Sequence, residues 1–332
     1  MDRAAGNASR NNPDPGPETL SSGLATEPDE AVSDTLSHYR KGLALTAIGG
    51  LAISVDIPLI RLSHGEPWSV LMVRTGTTLI SSLILWAIWR SFSNAVPKLV
   101  PGWAGLAVAI LYGTGSICFV TAVYNTSTAN LVFLLAFTSM FAALLSWIFK
   151  RERPRLGTLI TMAVMMVGIL IIVGDSLGGG GVLGDVLALC SSLTIAAAIT
   201  ISRASGKDMG FAALIGVTVP FLLALIMVSR TGYSVDAPWW IIFNGAVVMP
   251  ISFFCLAAGP KYLTGPEVAM FYLLETVLAP VWVWMIFSEA PTRNSIVGGV
   301  ILIGALVAHS LWQWRQSRRK PPQAATEIRH PA

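Results

Sequence analysis

Charge is what this sequence has least of: only 12% of its residues are Asp, Glu, Lys or Arg, against about 25% in a typical soluble domain. Apolar residues make up 54% and mean hydropathy is +0.66. That balance excludes a water-soluble globular fold and points to a polytopic, all-α membrane protein. Histidine is scarce, with His38, His64, His309 and His330 the full set, so a histidine-based metal centre is not expected. The three cysteines, Cys118, Cys190 and Cys255, are far apart inside apolar runs. They read as small buried hydrophobes, not as a disulfide framework. No His-Glu-x-x-His pair occurs, and no Gly-rich loop ends in Lys followed by Ser or Thr. Zinc hydrolysis and nucleotide-phosphate binding therefore lack their usual carriers. No enzymatic activity and no cofactor are expected, and any transport would be driven by gradients instead of ATP. The net charge of +4 does not imply nucleic acid, because the cations sit in short loops between apolar runs, where they orient helices.

The first 40 residues are a different kind of chain, rich in Pro, Asn, Asp, Glu, Ser and Gly and without an apolar run long enough for a signal-peptide core. They read as a disordered cytoplasmic tail. Beyond them come ten apolar runs, each long enough to cross a hydrocarbon layer of about 30 Å. The expected spans are 43–62, 68–89, 103–123, 128–149, 156–174, 183–202, 211–229, 239–258, 266–287 and 295–314. Cations mark alternate loops. Arg40 and Lys41, Arg90 and Lys98, the cluster from Lys150 to Arg155, Arg203 and Lys207, Lys261, and the basic tail after Arg315 fall on one side. Arg61, Arg230 and Arg293 fall on the other. By the positive-inside rule the cation-rich side is cytoplasmic, which puts both termini in the cytoplasm of a cell carrying this protein in its inner membrane. Trp68, Trp103, Trp147, Trp239, Trp240, Trp312 and Trp314 lie near span ends, as an aromatic belt requires.

The Gly-rich stretch 175–182 divides the ten spans five and five: 41–174 before it, 183–314 after it, and a basic tail from 315. Phe149-Lys-Arg-Glu152-Arg-Pro154 in the first half has an echo in Phe287-Ser-Glu289-Ala-Pro291 of the second. A duplicated unit with an odd number of spans must lie inverted relative to its twin, an architecture that recurs in secondary transporters. Ala122-Val-Tyr-Asn-Thr-Ser-Thr-Ala-Asn130 with Trp147 to Pro154 resembles the first EamA-type repeat of the drug/metabolite transporter superfamily. Gly184-Asp-Val-Leu-Ala-Leu189 and the stretch from Tyr262 through Leu274-Glu-Thr-Val-Leu-Ala-Pro280 to Gly299 resemble the second. The first half departs from the pattern at Met140, where the repeat usually carries a proline, so the fourth helix is expected to be straighter than the ninth. The resemblance implies a ten-helix carrier of small metabolites, with export of amino acids or related solutes as the expected activity.

Three charged residues inside the spans are candidate substrate contacts. Asp56 and Arg74 fall at similar depth on adjacent antiparallel helices and can meet. Such a pair offsets the cost of burying each charge and can open to a charged ligand, or it can be purely structural. Glu275 lies near the midplane, where a lone carboxylate must face protein or a water-filled cavity. It reads as a cation contact or proton carrier, against a glutamate satisfied permanently by hydroxyls and carbonyls. Tyr272 and Ala279 share its face by helical spacing. Glu152, Glu289 and Asp185 read as helix-end anchors, His309 as a packing residue, and Asn125, Thr126 and Thr128 as caps of the fourth helix.

The sequence thus describes a gradient-driven carrier working by alternating access around a cavity lined by helices one, two, four and nine. Its partners are a small-molecule solute, the lipid bilayer and a coupling ion, with the proton one candidate. Monomer and homodimer both fit. A non-transporting membrane protein, either a lipid-embedded enzyme or a receptor-like scaffold, is the competing class. An enzyme would turn over substrate in detergent, whereas a carrier acts only across a sealed membrane.

Overall fold

The computed structural model describes residues 27–92, 99–150, 156–179, 181–205, 209–258 and 265–319; within these, the side chains of 27–39, 150, 175–179, 203, 210, 257–258, 265–273, 313–314 and 316–319 are not described. The described chain is helical, and its lone β contact is an isolated bridge between Gly65 and Val235. In chain order the first half holds α1 (Glu27–Ser54), α2 (Asp56–Leu62), α3 (Pro67–Phe92), α4 (Gly102–Asn125), α5 (Thr128–Leu135), α6 (Thr138–Lys150) and α7 (Leu156–Gly179). The second holds α8 (Val182–Ser205), α9 (Gly210–Ile215), α10 (Thr218–Thr231), α11 (Pro238–Phe243), a π-helical turn (Asn244–Val248), α12 (Met249–Ala258), α13 (Gly265–Phe287) and α14 (Arg293–Arg319). Contacts divide the chain into Met1–Lys41, whose described part is the start of α1, and Gly42–Ala332, which carries the rest. Helix α1 starts at Glu27, inside the stretch expected to be a tail.

Among the described residues, nine stretches are long and apolar enough to cross a membrane, from Arg40–Leu62 to Arg293–Trp312, and the shorter apolar stretch Leu274–Phe287 belongs to α13. These agree closely with the spans read from the sequence. The helices are apolar outside as well as inside: Ile84, Ile88, Ile160, Leu170, Leu222, Ile226 and Val300 are all exposed. Such surface is costly in water and neutral in lipid, so the burial pattern is that of a multi-pass membrane protein.

Three spans are broken near their middles, at Val55, at Ala136-Phe137 and at Gly216-Val217. A break frees backbone groups that have no water to turn to, so a side chain must satisfy them. At the second break the Leu134 carbonyl accepts from the Ser192 hydroxyl of α8 at 2.9 Å, while Phe137 N closes a tighter turn onto the same carbonyl at 3.2 Å. The fourth span is therefore the interrupted one, and the ninth runs through Pro280 as a single helix. This reverses the expectation drawn from Met140. A proline removes one amide bond, but that loss alone did not interrupt α13, whereas a hydroxyl from a neighbouring helix can hold an opened turn.

Across the two halves α3 packs on α10, α5 on α13, and α7 on α14, so the second, fourth and fifth spans of one half meet their counterparts of the other. Helix α4 packs on α8, and Gly49 of α1 lies against Cys255 and Leu256 of α12. The α7–α14 crossing depends on glycine. A Cβ at Gly168 would sit 2.9 Å from the Gly298 carbonyl oxygen, and one at Gly298 would sit 2.7 Å from the Gly168 carbonyl oxygen. Because the obstructing atoms are backbone, the helices themselves would have to separate. Gly298→Val is expected to cost about 1–3 kcal/mol, as overpacking generally does, and to lower the melting temperature of the purified protein. An unchanged melting curve would show that the crossing is looser than described.

Candidate functional site

The break at Val55 opens the first span just before Asp56, and the side chain of Asp56 meets Arg74 of α3. The guanidinium engages the carboxylate side-on: Nη2 lies 2.8 Å from Oδ2 and Nε 3.3 Å from Oδ1. Asp56 is 3% exposed and Arg74 7%, so both charges are removed from water. A pair so placed holds only if its remaining donors and acceptors are satisfied. Asn244 supplies most of what is missing. Its Nδ2 donates to Asp56 Oδ1 at 2.7 Å and to the Asp56 backbone carbonyl at 3.2 Å, while its Oδ1 accepts from Arg74 Nε at 3.2 Å. Arg74 Nη1 reaches the Ser116 hydroxyl at 3.3 Å, Nη2 the Met249 sulfur at 3.0 Å, and the guanidinium lies 5.6 Å from the centre of the Phe119 ring. A cation over a ring face in a desolvated site gains further attraction.

Asn244 opens the π-helical turn Asn244–Val248. Pro250 follows within two residues of that turn and has no amide hydrogen for the carbonyl four residues back. A wider turn is one way for the chain to pass it, and such turns concentrate at functional sites. Gly245, next in line, brings the turn against α3: a Cβ there would meet Thr77 Oγ1 at 2.0 Å and the Arg74 backbone oxygen at 2.3 Å.

Glu275 lies on α13, close enough to feel the charges of both Asp56 and Arg74. Among the described residues its carboxylate makes no hydrogen bond or ion pair, and it keeps partial exposure while Thr276 and Ala279 beside it are buried. One turn past Ala279, Trp282 donates its indole N–H to the Ser54 hydroxyl at 3.1 Å, tying α13 to the broken end of α1. The structure thus gathers Asp56, Arg74 and Glu275 into one region. The side chain of Tyr272 lies outside the described residues. The pair's further neighbours come from the third and eighth spans, Ser116, Phe119, Asn244 and Met249, and among the described residues no hydrogen bond from the fourth span reaches it.

A second polar cluster joins five loops on the face poor in cations. Glu289 forms an ion pair with Arg61 and accepts from the Thr128 backbone N–H at 3.1 Å. Arg61 Nη2 makes long contacts of 3.4 Å to the carbonyls of Val123 and Thr126. The Thr126 hydroxyl donates to Asp185 at 2.6 Å. Glu66 N donates to the Ser234 carbonyl at 2.9 Å, and Ala237 N to the Ser63 carbonyl at 3.1 Å. The fourth helix is capped by Ser127, whose hydroxyl accepts from Asn130 N at 3.2 Å, and not by Asn125, Thr126 or Thr128. Glu152 lies outside the described residues, and His309 stacks on Trp312 with centroids 5.7 Å apart. Gly174-Asp-Ser-Leu-Gly178 has the spacing of a serine-hydrolase elbow, but that elbow needs a strand-to-helix turn. Here all five residues lie within helix α7.

The fold and this buried charged site define the class: a multi-pass, all-α membrane protein with an ion pair in its interior. Residues 40–174 match the model of the EamA-like transporter family. A curated relative, the uncharacterized transporter YdfC of Bacillus subtilis (strain 168), is 24% identical over 194 residues. The match takes in 55% of this chain and 62% of the relative, so the chain spans less than two thirds of that protein's length. The fold is shared with a protein of known crystal structure, with a TM-score of 0.59 at 15% identity over 83% of this chain and 98% of that one.

Proposed function

We propose that the protein is a secondary active transporter that moves a small polar metabolite, an amino acid or a related solute, across the cell membrane by alternating access, with export as its direction. The observation that carries this reading is the unequal state of the three interior charges: Asp56 and Arg74 neutralise each other, while Glu275 beside them has no committed partner among the described residues. In a membrane interior an uncommitted carboxylate is a cost that function has to justify. The Nε–Nη2 edge of Arg74 is taken by Asp56 and Asn244, so a solute carboxylate would be received at Nη1, in place of its 3.3 Å bond to the Ser116 hydroxyl, and Glu275 takes the solute's ammonium group or a coupling proton. Tyr272, one turn earlier on α13, would face the same solute.

The pairing of α3 with α10, α5 with α13 and α7 with α14 is the contact pattern that two inverted repeats related by a two-fold axis would produce, and rocking of one half against the other would expose the site alternately. The cation-poor loops would then face outward and both termini the cytoplasm.

The test is a screen for solute-induced thermal stabilisation of the full chain over amino acids and their amine and carboxylate analogues. A ligand that binds the folded state raises apparent stability by mass action. Glu275→Gln is expected to weaken by about tenfold or more the response to an amino acid that binds beside Asp56 and Arg74, the loss of a charge-assisted ammonium contact, while the fold persists. A response equal in Glu275→Gln and the parent would remove Glu275 from the site.

A further inference from the structure

On the cation-poor face a widely open pocket of about 330 Å³ lies between the loop after α2 and the end of α4, lined by Arg61, His64, Gly65, Val123, Tyr124 and Thr126. The geometry points to this pocket as a second binding site, separate from the Asp56–Arg74 pair, that takes the carboxylate of a small solute on the Nε–Nη2 edge of Arg61.

The guanidinium of Arg61 is unevenly committed. Nη1 pairs with Glu289, but the opposite edge is poorly used: Nη2 has only the two 3.4 Å contacts to backbone carbonyls, and Nε is buried with no hydrogen-bond partner. Buried donors are nearly always satisfied, by protein or by something bound. The side-on edge formed by Nε and Nη2 is the one that receives a carboxylate through two parallel bonds. It points toward Val123 and Thr126, and both of those residues line the pocket. Two acceptors in the same loop cluster are also without partners, Thr128 Oγ1 and Asp185 Oδ2. Together with Arg61 Nε they are all the buried side-chain polar atoms left unpaired among the described residues, and all three belong to the network around residues 126–128.

The walls are built to keep their shape. His64 holds φ at 44°, a left-handed conformation that is uncommon for residues other than glycine and that marks functional loops more often than chance. The loop is fixed in that conformation by the Gly65–Val235 bridge and the bonds from Glu66 N and Ala237 N. Tyr124 closes one side.

The experiment measures stabilisation of the full chain in lipid nanodiscs by glycine, acetate and acetamide at constant ionic strength. Glycine and acetate are expected to stabilise the parent and, through the Arg61 site alone, Arg74→Gln as well, and acetamide to have no effect. Arg61→Gln is expected to weaken the carboxylate response by about tenfold or more, the loss of one bidentate contact. Arg61→Lys keeps a cation for Glu289 and hence the loop cluster, but lacks the fork, and should weaken it similarly. It supplies the same test if Arg61→Gln does not fold. Glu289→Gln, which removes a competitor for the guanidinium, should strengthen it. Glycine acting at lower concentration than acetate identifies a zwitterion as the occupant, and equal action identifies any small carboxylate. A response lost in Arg74→Gln but kept in Arg61→Lys, or no carboxylate response in the parent, overturns the proposal.

Discussion

Arg74→Gln is expected to lose solute binding at the interior site and to destabilise the protein by about 3–5 kcal/mol, the usual result of removing one partner of a buried ion pair. The size follows from the environment. Asp56, 3% exposed, would keep its charge with Asn244 as its one remaining side-chain donor. The double variant Asp56→Asn/Arg74→Gln should recover much of that loss, because neither charge is then left alone. It should not recover binding, because the guanidinium that receives the solute is gone. Thermal unfolding of the parent, both single variants and the double gives the coupling energy directly. Additive losses would mean that the two charges do not support each other, and recovery of binding in the double would mean that the pair is structural only.

Gly245→Val is expected to disable the same site from a position that touches no solute. Its new Cβ would lie 2.3 Å from the Arg74 backbone oxygen, a group that cannot rotate away, so the π-helical turn and α3 must part. Asn244 moves with the turn, and its bonds to Asp56 and Arg74 lengthen. Overpacking of this kind costs about 1–3 kcal/mol, comparable with Gly298→Val at the α7–α14 crossing. The two variants should differ in binding: Gly245→Val loses the solute response, whereas Gly298→Val, whose contacts are with α7, retains it. Equal retention in both would show that the Asn244 bonds are dispensable.

The spans were legible because apolar length is nearly sufficient to define a helix in lipid. Asp56 and Arg74 were legible as a pair because helix rise sets depth, and depth on adjacent antiparallel helices is a contact prediction. Asn244 was not singled out. Its signal was present, an amide inside an apolar span and followed by Gly245 and Pro250, but it lies 188 residues from its partner Asp56, and no local spacing connects the two. Ser116 and Phe119 are invisible for the same reason. Helix regularity was misjudged where a distant hydroxyl decided it: Ser192 holds the break at Leu134, a contact that a proline-based reading of Met140 and Pro280 has no means of seeing. Glu289 was read as a loop anchor, and it does bind the start of α5. That it does so while paired with Arg61, from the other half of the chain, is a tertiary fact.

The most direct measurement is flux in sealed proteoliposomes preloaded with an isotopically labelled amino acid mixture, with parent, Arg74→Gln and Glu275→Gln reconstituted at equal density. Alternating access around the interior charges predicts that at least one amino acid leaves the parent vesicles saturably and faster than protein-free vesicles, and that both variants fall to the protein-free rate. Parent vesicles that release nothing faster than protein-free ones, or variants that transport as the parent does, would contradict it.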